Sequence, residues 1–190
     1  DARLGVIRCQ MELGNYQMAI TNIDMLLQID PQVTEAYELY LEVGERQDNI
    51  YVMLEAIRLA EQNEVEEILA KVPETPVIHL DGEYFNEAIN VEITCEDEDA
   101  EIYYTMYNDL ISSNGVQEYD KPIYIAGGSG SIEAFVIKDG YPSQMVYTPY
   151  IIETTGTEVT FADPLIEQSV RDSLGYYMGE PITDLDCWRM

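Results

Sequence analysis

"INVEITCEDEDAEIYYTMYN", residues 89–108, carries apolar side chains at every second position through two runs. Ile89, Val91, Ile93 and Cys95 point one way, and Ala100, Ile102, Tyr104 and Met106 do the same in the second run. A period of two is that of a strand with one buried face. The acidic stretch between the runs, "CEDEDAE" at 95–101, reads as a solvated turn. The alternation continues through Ile132, Ala134 and Val136 and resumes near Val146. Short strands separated by Gly, Asn and Asp over this region predict a small antiparallel β-sandwich. The glycine-rich "AGGSGS" at 126–131 runs into "IEAFVIK", a strand and not the helix a phosphate loop needs, so it reads as a hairpin connection.

Upstream, the period changes to that of a helix. "GNYQMAITNIDMLLQIDP", Gly14 to Pro31, places Tyr16, Ala19, Ile20, Ile23 and Leu27 on one face. The residue before a proline avoids helical angles, so this helix ends at Asp30-Pro31. Leu4, Ile7 and Met11 form an earlier stripe, and Ala36, Leu39, Tyr40 and Val43 a later one. Asp48 is read as the N-cap of a fourth helix with Ile50, Met53, Leu54 and Ile57. A short fifth carries Val65, Ile68, Leu69 and Val72. Prolines 73 and 76 mark the change from helix to strand. Downstream, "ETTGTE" reads as a flexible polar linker. Asp163 before Pro164 is an N-cap, Ile166, Val170 and Leu174 form a stripe, and Thr183 with Asp186 is a capping-box variant. The fold class is α+β multidomain: helical hairpins over 1–73, the sandwich over 74–153, and a linker with a helical segment over 154–190.

Three resemblances follow from these residues. "G-N-Y-x-x-A-I" followed by "L-x-I-D-P" resembles the second half of a tetratricopeptide repeat, in which Gly14 marks the inter-helix turn and Pro31 closes the repeat. The next unit keeps Tyr37 and Ala60, but Gly44 and Met53 stand where a larger aromatic and a small residue are usual. Such hairpins bury one face only by stacking, which implies further repeats upstream of Asp1. The pieces "IYYT" at 102–105, "KPI" at 121–123 and "KDGYPS" at 138–143 resemble the chitobiase/β-hexosaminidase C-terminal domain family, an immunoglobulin-like sandwich. The stretch "MYNDLISSNGVQEY" departs from the short turn usual there. "F-x-D-x-x-I-E-x-x-V-R", with "ITDLD" after it, resembles the helical cap that precedes leucine-rich repeats. Together they imply a fragment of a bacterial surface protein, with its anchor elsewhere. The implied role is non-catalytic recognition of a protein partner. Carbohydrate binding as an accessory of a glycosidase or cell-wall protein is the alternative.

The chemistry agrees with a non-enzyme. The one histidine, His79, lies near the first strand with no motif partner, and no HExxH, GxSxG or P-loop lysine occurs. Cys9, Cys95 and Cys187 form no CxxC pair and read as buried free thiols, one in each module. No cofactor or metal is expected; "CEDEDAE" lacks the glycine-punctuated spacing of an EF-hand loop. With 37 acidic and 9 basic residues the net charge is −28, which disfavours nucleic acid and an anionic membrane surface as partners and reads either as solubility or as attraction to a basic partner or to divalent cations. No apolar run approaches the roughly eighteen residues of a membrane span, and the first residues do not have the pattern of a signal peptide. Glu38, Glu42 and Glu45 share a helix face and form a candidate protein-binding strip, whose other reading is a solvated face. In "YYTMY" successive tyrosines face opposite sides of a strand, so Tyr103 and Tyr107 are candidate surface aromatics.

Overall fold

The computed structural model describes residues 2–111 and 115–190. Ser112, Ser113 and Asn114, part of the stretch that departs from the family turn, lie outside the described residues. The chain divides into two compact units: Asp1–Thr75 with Cys95–Glu101 and Phe135–Met145, and Pro76–Thr94 with Ile102–Ala134 and Val146–Met190.

The first unit is built on α1 (Ala2–Glu12), α2 (Tyr16–Ile29), α3 (Thr34–Arg46), α4 (Ile50–Gln62) and the short α5 (Glu66–Leu69). The predicted stripes form its core: Ile7, Met11, Ala19, Ile23, Ala36, Val43, Met53 and Ile57 are all buried. Each large aliphatic side chain removed from water contributes roughly 1.5–3 kcal/mol. Gly14 and Asp48, thirty-four residues apart, both take the left-handed conformation and open α2 and α4. Asn49, not Asp48, caps α4, its side chain accepting from Tyr51 N at 3.1 Å. Asp48 is instead consumed by the left-handed turn, a position its short polar side chain tolerates. The size exchange at Gly44 and Met53 is complementary, because the Met53 side chain lies over Gly44 and its backbone N comes within 2.9 Å of where a Cβ would sit.

Between α2, α3 and α4 sits a half-buried polar group. Asp24 accepts a hydrogen bond from Tyr40, with Glu55 nearby. Burial, and then Glu55, raise the Asp24 pKa above 3.8, against the hydrogen bond from Tyr40. The Tyr40 hydroxyl is pushed up to about 12 by burial and by the two carboxylates. A carboxyl whose folded pKa is raised binds its proton more tightly when folded, so stability falls as pH rises through that pKa. Asp24→Asn is therefore expected to raise the melting temperature at pH 7, and the gain should vanish below about pH 3.8, the unfolded value. Thermal melts of both proteins across pH 3–8 check this; a gain that persists at pH 3 would remove Asp24 ionisation as its cause.

The second unit holds most of a two-layer sandwich, whose residues Phe135–Met145 fall in the first. One sheet orders β1 (Val77–His79), β3 (Ile89–Thr94) and β6 (Ile123–Ile125). The other orders β2 (Tyr84–Phe85), β9 (Val146–Ile152), β7 (Gly128–Lys138), β4 (Glu101–Asn108) and β5 (Gln117–Glu118), with β8 (Tyr141–Pro142) paired to β7. Val91, Ile93, Ile123 and Ile125 from the first sheet meet Ile132, Ala134, Tyr150 and Ile152 from the second. Strands β1 and β6 pair antiparallel with β3, β5 with β4, and β8 and β9 with β7, while β2 runs parallel to β9. That is a departure from the all-antiparallel expectation.

The glycine-rich stretch is not a hairpin. β6 pairs with β3 in one sheet and β7 with β9 in the other, so Ala126 and Gly127 carry the chain between layers. Gly127 lies under Leu185, and Gly128, at φ +91°, lies against the Asn108 and Asp109 side chains. The stretch read as a free linker is also held. Thr157 N donates to Asp184 Oδ1 at 2.7 Å, Asp184 N to Thr157 O at 2.8 Å, and Val159 N to Ile182 O at 2.8 Å. Two helices follow, α6 (Pro164–Leu174) and α7 (Asp184–Trp188). Asp163 caps α6 with Pro164 in its first turn, and Thr183 and Asp186 close the predicted capping box of α7.

The cysteines are free but not buried: Cys9 is exposed and Cys95 and Cys187 are intermediate. Cys9 falls off the Leu4–Ile7–Met11 stripe, Cys95 sits one residue past the end of β3, and Cys187 is on a five-residue helix. None of these positions points into a core.

Candidate functional site

The larger sheet has a second face. Period two sends Ile102, Tyr104 and Met106 of β4 and Ile132 and Ala134 of β7 to the core, so their neighbours face outward. Registers fix the rest. Tyr84 lies beside Ile151, Ser129 opposite Ile151, Ser131 opposite Pro149, and Glu133 opposite Tyr147. Tyr103 lies opposite Glu118. Tyr84, Tyr107 and Tyr147 are 74%, 65% and 62% exposed, while Tyr103 is half-buried. The small Ser129 and Ser131 on central β7 keep the middle of the face low. Aromatic rings from β2, β4 and β9 stand around them. Tyr107 thus belongs to an aromatic face, as does Tyr103. Sequence reasoning missed Tyr84 and Tyr147 as members, because only the strand order brings them to the sheet of "YYTMY".

The acidic strip has a different setting. On α3, Glu38 accepts from Lys71 at 2.9 Å and Glu42 pairs with Arg46 at 2.7 Å. Glu35 pairs with Arg8, and Arg46 also reaches Glu12 at 2.9 Å. The Lys71 ammonium is held protonated to higher pH by Glu38 and then by the Tyr141 hydroxyl, 3.1 Å away. Glu38, Glu42 and Glu45 do share a face, but the first two already have cations of this chain beside them. Glu45 is exposed.

The remaining candidates are structural. His79 is exposed on β1 with its Nε2 2.7 Å from Thr94 Oγ1. In the acidic turn, Lys138 donates to both Asp97 oxygens at 2.8 and 2.7 Å and holds that carboxyl below its usual range. Among the described residues no group of three or more His, Cys, Asp or Glu side chains is placed to hold a metal ion. No helix among them is long and apolar enough to cross a membrane.

A two-sheet sandwich with exposed tyrosines on the outward face of one sheet defines a class of domain rather than a reaction. Residues 80–148 match the family model of the chitobiase/beta-hexosaminidase C-terminal domain. That domain is an accessory part of glycosidase-type proteins and not their catalytic part. No curated protein matches the chain.

Proposed function

We propose that this chain is a non-catalytic recognition segment of a multidomain bacterial protein exposed outside the cell, and that it binds a protein partner through the outward face of its larger sheet. The observation that carries this reading is the set of exposed tyrosines, Tyr84, Tyr107 and Tyr147, on a face whose central positions are small. Tyrosine offers large contact area at low entropic cost and a hydroxyl that stays wet, which suits a binding surface. The two left-handed turns thirty-four residues apart support a tetratricopeptide-type pair of hairpins as a stacked support. The capping box and proline-opened helix support the cap-like reading of 154–190, a segment that would precede leucine-rich repeats. Carbohydrate binding is the second reading. It draws on the accessory-domain match and on the same rings, which can stack on sugar faces.

One experiment separates the two. The whole chain is panned against a random-peptide display library and, in parallel, a glycan array. The same is done for the triple variant Tyr84→Ala, Tyr107→Ala, Tyr147→Ala. These side chains are exposed, so folding should change by no more than about 0.5 kcal/mol each. Saturable peptide binding that weakens at least tenfold in the triple variant is expected. Binding seen on glycans alone would put the carbohydrate reading first, and ligands that bind the variant equally well would remove this face from the function.

A further inference from the structure

We infer that the outward face of the larger sheet recognises a segment rich in arginine or lysine, with Glu118 and Glu133 as its charge-selecting residues. The inference rests on the reading of that face as a binding surface and names the class of partner. In strand order the face presents Glu118 on β5, Tyr103 on β4, Glu133 on β7 and Tyr147 on β9. Two cross-strand pairs lie within this set, Tyr103 with Glu118 and Glu133 with Tyr147. Directly opposed side chains have Cβ atoms about 5 Å apart. The exposed Tyr147 ring beside the Glu133 carboxylate offers a cation both a π face and a counter-charge. Four adjacent strands span about 14 Å at about 4.8 Å each, enough for several side chains of an extended peptide.

The contrast with the helical strip gives the argument its direction. Glu35, Glu38 and Glu42 of α3 have Arg8, Lys71 and Arg46 of this chain beside them. Neither Glu118 nor Glu133 is in an ion pair among the described residues. Arg8, Arg46, Arg58, Lys71, Lys138 and Arg171 are thus committed to carboxylates of this chain, while Glu118 and Glu133 stay open to a charge from outside. Anionic partners are repelled by the face and by the net charge of −28.

The test is calorimetric titration of the whole chain with three capped synthetic peptides of equal length. One alternates arginine with threonine, one replaces arginine by neutral citrulline, and one by glutamate. An extended peptide of this pattern sets its arginines on one face about 7 Å apart. The arginine peptide should bind at least tenfold more tightly than the citrulline one, and more weakly as salt rises from 50 to 300 mM. Glu118→Gln with Glu133→Gln should weaken it about tenfold. Glu45→Gln with Glu98→Gln removes the same charge elsewhere and should change it less than twofold. Equal losses from the two pairs would mean diffuse attraction to an acidic chain and would overturn the proposal. Citrulline binding as tight as arginine would also overturn it, while leaving the face as a binding surface. Binding by none of the three, with display-selected neutral peptides still bound through the tyrosines, would do the same.

Discussion

Gly130→Ala is expected to destabilise the sandwich by about 3 kcal/mol, and Gly130→Val to prevent its folding, although the residue is a plain strand glycine. A Cβ at 130 would overlap the Tyr107 carbonyl oxygen and come within 2.8 Å of the Tyr150 hydroxyl. Gly130 lies opposite Tyr150 in the β7–β9 register, and Tyr150 is 1% exposed. Asn108, also buried, donates from Nδ2 to the Tyr150 hydroxyl at 2.9 Å and to Gly127 O at 3.0 Å. Its Oδ1 accepts from Leu110 N at 2.8 Å. A methyl group therefore either displaces the β4 backbone or pushes the tyrosine off its partner. Overpacking costs about 1–3 kcal/mol, and a buried polar group left unpaired costs about 1–3 more. Against a domain stability of about 5–15 kcal/mol this is a large fraction. The measurement is the denaturant midpoint at constant slope. Gly5→Ala is the control: nothing lies within 4 Å of its Cβ and it sits mid-helix, so it should stabilise by about 0.5–1 kcal/mol. A Gly130→Ala cost below about 1 kcal/mol would show that the strand pair relaxes around the methyl group.

Arg171→Ala should release the segment after α6 while the strand pairs hold. Arg171 is the buried residue of a helix whose apolar side chains are otherwise largely exposed. Its guanidinium donates from Nη1 to Tyr177 O at 3.0 Å and to Glu180 O at 2.7 Å. Its Nε donates to Glu167 Oε1 at 2.9 Å. One planar group thus fastens the turn after Gly175 to α6, a role the fixed fork of arginine suits and lysine does not. Truncation strands two carbonyls and a carboxylate at once, which places the expected local cost at about 2–4 kcal/mol. Hydrogen exchange should speed by more than tenfold at residues 176–180 and hardly change in β3 and β7. Arg171→Lys should recover little of the protection. Uniform protection in the alanine variant would mean that the α7 capping box holds the segment alone.

The sequence determined the periods, and with them most of the elements. Alternation at Ile89–Met106 specified strands whose inner residues face the core, because a strand with one buried face has no other register that hides its apolar side chains. The stripes Leu4–Ile7–Met11 and Ala36–Val43 specified helices for the same reason, and Asp163-Pro164 and Thr183-x-x-Asp186 specified helix starts through local hydrogen bonding alone. Tertiary structure decided what depends on residues far apart in the chain. The order β2-β9-β7-β4-β5 assembles Tyr84, Tyr103, Tyr107 and Tyr147 on one face, although the first and last are more than sixty residues apart. Spacing along α3 showed that Glu38 and Glu42 share a face. It could show the i,i+4 partner of Glu42, Arg46, but not that Lys71, beyond α5, would sit on Glu38. Gly130 reads in sequence as part of a hairpin connection. It is glycine because a carbonyl from a neighbouring strand occupies the space of its missing side chain, and that approach exists only after the strands have paired.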